Sequence, residues 1–63
     1  MDPTIALENV RRHLQDLGQA VEDEDRYEIE ENLGALQEAF SGLDNWLSTG
    51  GFLPGAWSRG ENA

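Results

Sequence analysis

Apolar residues recur at alternating intervals of three and four positions, in two separate stretches of the chain. The stretches consist of Leu7, Val10, Leu14, Leu17 and Val21, then Ile29, Leu33, Leu36, Phe40, Leu43 and Leu47. This spacing puts the apolar side chains of each stretch on one face of an α-helix. Two such helices with a short connection pack as antiparallel neighbours. The pattern therefore predicts an all-α fold, an antiparallel helical hairpin buried along this stripe, with Leu14 near Leu33 and Val10 near Leu36.

Capping residues indicate where the two helices begin and end. Asp2 can cap the first helix, and Pro3 suits its first position because no backbone hydrogen bond is lost there. Asp25 can cap the second helix and, with Glu28 three residues later, fits a capping box. Gly50 is a candidate left-handed cap at the end of the second helix. The expected helices span about 3–22 and 26–48.

The sequence predicts a hairpin unit over residues 1–49 and a C-terminal tail over residues 50–63. Residues 52–57 of the tail are apolar, and we expect disorder from residue 58 to residue 63. Three large side chains, Phe52, Leu53 and Trp57, are candidates for partner binding, because such a segment is seldom left in water.

Three interpretations of the tail remain open. Phe52 and Leu53 can cap the open end of the hairpin, a position near Ile5, Leu43 and Trp46. Alternatively, Trp57 can enter a pocket on a partner, since Trp is favoured at the centres of interfaces. A tail exchanged between two copies is the third interpretation.

A second row of residues on the second helix predicts self-association. This row, one position before the stripe, is Asn32, Ala35, Ala39, Gly42 and Trp46. The equivalent row on the first helix is mostly polar: Ala6, Asn9, His13, Asp16 and Ala20. One partner helix cannot cover both apolar faces of the second helix. We therefore expect a homodimer, a four-helix bundle with this row as the oligomer interface; a monomer covered by its tail and a hetero-complex are the alternatives.

The charge is strongly acidic and limits the possible partners. Thirteen acidic and four basic residues give a net charge of −9 over 63 residues. Such a chain repels phosphates and anionic membranes, so we expect no direct nucleic-acid or membrane contact, and a basic protein as a possible partner. The predicted acidic surface is Glu22, Asp23, Glu24, Asp25, Glu28, Glu30 and Glu31. The default interpretation of this run is a solvated loop and helix start.

Residues that carry chemistry are few. The chain has no Cys and a single His, His13, and no phosphate loop, nucleophile motif or zinc-ligand spacing. The acidic run lacks the Gly and Glu positions of a calcium-binding loop. We therefore expect no enzyme, no cofactor and no metal. The start of the sequence lacks a basic targeting region and no long apolar stretch follows, so the expected location is the cytoplasm, or the host cytoplasm for a phage protein.

The segment LDNWLSTGGFLPGAW, from Leu43 to Trp57, carries a resemblance. It resembles the C-terminal segment of small acidic proteins of actinobacteria and their phages, which also have a Trp-Leu helix end followed by Gly-Gly-Phe-Leu-Pro and a nearby Trp. The resemblance covers about a quarter of the chain. It implies a phage or actinobacterial source, and those proteins mostly lack an assigned activity.

These observations favour a non-enzymatic, small, homo-oligomeric protein-interaction protein, for which the resemblance implies a phage or actinobacterial source. The alternative is an acidic mimic of nucleic acid that inhibits a DNA- or RNA-binding host protein. A virion assembly or scaffold component is a third hypothesis, which the sequence does not separate from the first.

Overall fold

The described part of the chain contains two helices. The computed structural model describes residues 1–58, and in it α1 spans Pro3–Glu22 and α2 spans Arg26–Ser48. The two helices pack against each other, so the predicted all-α helical hairpin is confirmed. Both helix bounds agree with those expected from the capping residues.

Asp2 and Pro3 fix the start of α1. A side-chain oxygen of Asp2, Oδ1, accepts hydrogen bonds from the backbone N–H groups of Thr4 at 2.9 Å and Ile5 at 3.4 Å. Pro3 occupies the first helical position and is buried. The Asp-Pro pair therefore caps the helix as predicted, because it satisfies two N–H groups that have no partner within the helix.

The turn between the helices contains only residues 23–25. Glu24 has a left-handed φ of 54°, and its N–H donates to the Val21 carbonyl at 3.1 Å. The Asp25 N–H donates to the Ala20 carbonyl at 3.0 Å, which completes a Schellman-type helix end. Asp25 Oδ1 accepts from the Glu28 N–H at 3.2 Å, so Asp25 caps α2 as predicted. The capping box is only half formed, because the Asp25 N–H is already used by α1.

The end of α2 repeats the same motif with glycine. Gly50 has a φ of 92°, and its N–H donates to the Leu47 carbonyl at 3.2 Å. The Gly51 N–H donates to the Trp46 carbonyl at 2.9 Å. Gly50 is therefore the left-handed cap that the sequence predicted, in a conformation that glycine adopts without steric strain.

The hydrophobic core is small and does not include the whole predicted stripe. Its apolar members, each 2–6% exposed, are Leu7, Val10, Ala20 and Leu43. Four other residues of the stripe are 50–55% exposed: Leu14, Val21, Leu33 and Phe40. The prediction that the stripe is buried along its whole length is therefore wrong.

The contact between the helices is instead displaced toward the row one position before the stripe. On α1 this row includes Ala20, which is buried, and on α2 it includes Asn32, which is 9% exposed. Ala35 and Ala39 of this row are both half-buried, and their small side chains permit a close contact between helices. Turning the helices toward this side leaves the outer edge of the stripe in solvent.

The buried Asn32 has a hydrogen-bond partner within its own helix. Its side-chain Nδ2 donates to the Glu28 carbonyl at 2.9 Å. A buried amide without a partner is destabilising, and this bond satisfies part of its hydrogen-bonding capacity. Asn32 can therefore lie between two helices without a charge beside it.

Candidate interaction surfaces

The exposed edge of the stripe forms an open groove between the two helices. The groove has a volume of about 420 Å³. Its lining consists of Val10, Leu14, Leu33, Leu36, Gln37, Phe40 and Ser41. None of these side chains is charged, and only Gln37 and Ser41 are polar. We call this surface the stripe groove.

The stripe groove follows from the register of the hairpin. Leu14 and Leu33, which the sequence predicted to be neighbours, both line it, and so do Val10 and Leu36. The inner members of the stripe are buried, whereas Leu14, Leu33 and Phe40 are about half exposed. The groove can therefore accept apolar side chains, and it holds no titratable group that could take part in a reaction.

The row predicted to be the oligomer interface is largely covered within the chain. Asn32 is buried, and Ala35, Ala39, Gly42 and Trp46 are half-buried. A Cβ on Gly42 would lie 3.4 Å from the Met1 side chain, so the N-terminus passes over this row. Burial is therefore shared between the two rows: part of the stripe is exposed, and the row predicted to be open is partly covered.

Trp46 forms a compact contact with the start of the tail. Its indole and the Phe52 ring are edge to face, with centroids 5.4 Å apart and an interplanar angle of 89°. The indole Nε1 donates to the Phe52 carbonyl at 3.0 Å. A Cβ on Gly51 would overlap the same indole, so the chain passes Trp46 at a point where only glycine fits.

The remainder of the tail is tied to the start of α1. The Gly55 N–H donates to Thr4 Oγ1 at 3.0 Å, and Pro54 is fully buried. A turn follows, in which the Trp57 N–H donates to the Pro54 carbonyl at 3.0 Å. This geometry supports the interpretation of the tail as a cap over the open end of the hairpin, formed largely by backbone and Pro54.

The large tail side chains contribute less to this cap than expected. Phe52 is 66% exposed, Leu53 49% and Trp57 44%, and Ile5 at the same end is 53% exposed. They remain available to a partner even though the backbone is anchored. Ser58, predicted to be disordered, donates from its N–H to the Pro54 carbonyl at 3.2 Å, and residues 59–63 lie outside the described part of the chain.

The predicted acidic surface is exposed throughout. All seven residues lie at or near the turn end of the hairpin: Glu22, Asp23, Glu24, Asp25, Glu28, Glu30 and Glu31. Tyr27 Oη donates to Glu31 Oε1 at 3.0 Å. This hydrogen bond and the negative charges of Glu31 and Glu28 raise the pKa of Tyr27 above its ordinary value. Apart from such local bonds, the acidic side chains face solvent.

His13 is half-buried on α1. Its Nδ1 has no hydrogen-bond partner among the described residues. Over residues 1–58, no group of three or more His, Asp and Glu side chains is arranged to hold a metal ion. His13 therefore has no neighbouring set of ligands with which to bind one.

Within the described residues, neither α1 nor α2 has a segment that is long and apolar enough to cross a bilayer. No protein-family model, curated protein or solved structure matches this chain.

Proposed function

We propose that this chain is a non-enzymatic interaction protein whose two copies associate through the stripe groove to form a homodimeric four-helix bundle. The observation that supports the proposal is the groove itself, with Leu14, Leu33 and Phe40 half exposed around an uncharged lining. Exposed apolar side chains that adjoin one another are candidates for an interaction site on a small protein.

The size of the core supports the need for a second copy. Among the described residues the buried apolar core consists of Leu7, Val10, Ala20 and Leu43, beside the buried Pro3 and Pro54. A domain of about 60 residues is marginally stable alone, and association is one of the usual remedies. Fully burying a Leu or Phe side chain contributes about 1.5–3 kcal/mol, so covering a half-exposed one contributes about 1 kcal/mol.

The groove can also pair with a copy of itself. Its lining is apolar except for Gln37 and Ser41, so two copies can bury apolar side chains against each other. In an isologous dimer each copy provides the same surface, so a single surface is enough. The lining carries no charge, and the net charge of −9 therefore opposes association only from outside the contact.

Two matched Phe variants test the proposal. Phe40→Glu places a charge in the groove, whereas Phe52→Glu places the same charge on a Phe that is more exposed and lies on the tail. Sedimentation equilibrium gives the dissociation constant of each variant, and circular dichroism checks that the helices remain. We expect Phe40→Glu to weaken association at least about 30-fold, the equivalent of a 2 kcal/mol hot spot, and Phe52→Glu to weaken it by less than about threefold.

Equal weakening by both variants would contradict the proposal, because the groove would then have no special part in association. A chain that remains monomeric at all concentrations would also contradict it. Retained helicity in both variants is required for the comparison, and Glu is a good helix former at an exposed position.

The exposure of all seven acidic residues favours a second candidate, the nucleic-acid mimic. In this function the turn end of the hairpin would bind a basic host protein in place of DNA or RNA. Such binding should weaken steeply as salt is added, because exposed charges are screened beyond about 8 Å at physiological ionic strength. Binding through Trp57 would instead be nearly insensitive to salt and lost in Trp57→Ala.

A further inference from the structure

The charge of the hairpin is unevenly distributed along its length. The half nearest the turn, residues 13–35, contains eight acidic residues and one Arg, a net charge of −7. The half nearest the open end, residues 1–12 and 36–58, contains four acidic residues and two Arg, a net side-chain charge of −2. Any dimer must therefore bring together two strongly acidic ends or separate them.

The stripe groove lies at the middle of the hairpin. On α2 its lining runs from Leu33 to Ser41 and is centred on Gln37, and Gln37 is also the middle residue of α2. On α1 its lining residues are Val10 and Leu14, on either side of the middle of that helix. A two-fold axis through this point can therefore superimpose groove on groove in either of two orientations, parallel or antiparallel.

We infer that the two copies meet antiparallel, with the two-fold axis crossing α2 at Gln37, so that the acidic turn end of each copy lies beside the open end of the other. This inference rests on the proposed self-association. In the antiparallel orientation each end with a net charge of −7 lies beside an end with a net charge of −2. In the parallel orientation the two −7 ends lie together and the two −2 ends lie together. By Coulomb's law the product of adjacent charges is roughly halved in the antiparallel dimer.

The exposed side chains favour the same orientation. With the axis at Gln37, Phe40 of one copy lies at the level of residue 34 of the second copy, one position from Leu33, and both Phe40 and Leu33 are half exposed. In the parallel orientation α2 faces α1 of the second copy, and Phe40 lies at the level of Leu7. Leu7 is only 5% exposed, so it has almost no surface left for contact. Only the antiparallel dimer pairs Phe40 with a partner that is still accessible.

Single cysteines test this orientation in the intact chain, which has no Cys of its own. Gln37→Cys lies on the axis, so its two copies are neighbours in the antiparallel dimer. Ser41→Cys, also in the groove lining, is the matched control. Four residues along a helix is about 6 Å, so its two copies are about 12 Å apart along the helices. A disulfide requires Cα atoms within about 7 Å.

We expect the Gln37→Cys dimer to form an interchain disulfide under mild oxidation at least about tenfold faster than the Ser41→Cys dimer. Light scattering under reducing conditions first establishes that each variant is a dimer. Dimers in which Ser41→Cys oxidises as fast as Gln37→Cys, or in which neither oxidises, would overturn the orientation and leave self-association intact. Monomers in both variants and in the unaltered chain would overturn the proposed function as well.

Discussion

Replacing Gly51 by Ala tests the contact that holds the tail on the hairpin. The added Cβ would overlap the Trp46 indole, so the ring must move away. Moving it breaks the Nε1 hydrogen bond to the Phe52 carbonyl and the edge-to-face contact with the Phe52 ring. Losing such a hydrogen bond costs about 1 kcal/mol, and losing such an aromatic pair costs about 1 kcal/mol more. We therefore expect Gly51→Ala to lower the free energy of unfolding by about 2 kcal/mol.

The assay is thermal unfolding followed by circular dichroism, with all variants at one protein concentration because association makes the melting temperature depend on concentration. For a domain of this size a loss of 2 kcal/mol lowers Tm by about 8–16 °C. Gly18→Ala and Gly34→Ala are the controls. Neither added Cβ has an atom within 4 Å, and removing an exposed helical glycine stabilises by about 1 kcal/mol.

The three substitutions are chemically identical, and their effects should differ in sign. A Gly51→Ala variant that is as stable as the unaltered chain, or more stable, would refute the reasoning, because the indole would then not lie against the backbone. Fluorescence of Trp46 in a Trp57→Phe background reports the movement of the ring directly. We expect its emission to shift toward that of solvated indole only in Gly51→Ala.

Three further predictions concern the turn, the acidic surface and the tail. Glu24→Gly should raise the free energy of unfolding by about 1 kcal/mol in urea titrations, because glycine relieves the left-handed φ, whereas an equal gain in Glu24→Gln would assign the effect to charge. Tyr27 is the only Tyr of the chain, and its pKa, followed by absorbance, should lie above the ordinary value of 10 and fall in Glu31→Gln. Because the pKa is raised, the hydrogen bond between Tyr27 and Glu31 stabilises the fold at lower pH, and this stabilisation is lost as the pH rises through the folded-state pKa. Thr4→Val should lose the bond from Gly55 and about 1 kcal/mol of stability, which Thr4→Ser should retain.

The existence and bounds of both helices could be predicted from local sequence. Asp2 and Asp25 each accept the backbone hydrogen bonds that a helix start leaves free, and Gly50 takes the left-handed conformation that ends α2. Such signals depend on residues within a few positions of one another. These signals can therefore be identified without knowing how α1 and α2 pack together.

The rotation of the helices about their axes could not be predicted in the same way. A heptad stripe states which side chains are apolar, but the closest approach of two helices also depends on which side chains are small. Ala20 is buried while Val21 beside it is half exposed, although Val is the more apolar residue. The sequence pattern predicts that the small residues Ala35 and Ala39 contact a second copy, whereas they lie half-buried in the hairpin. The heptad pattern does not predict the stripe groove, because the groove depends on how the helices are rotated about their axes.

The tail illustrates a similar limit. The sequence indicates that its large side chains make its contacts. In the structure the tail is instead held by Pro54, which is buried, and by the backbone N–H of Gly55, which donates to Thr4. A hydrogen bond across 51 positions leaves no local pattern. The part of the candidate site that sequence did indicate is the set of exposed residues, Phe52, Leu53 and Trp57.

Solution mass of the unaltered chain over a range of concentrations, measured by multi-angle light scattering, tests self-association through the stripe groove most directly. The chain has a mass of 7.0 kDa. We predict a mass that rises with concentration to twice this value and stops there, because one isologous contact closes the assembly. A mass that stays at 7.0 kDa at every concentration would contradict self-association and leave the groove exposed in the free protein.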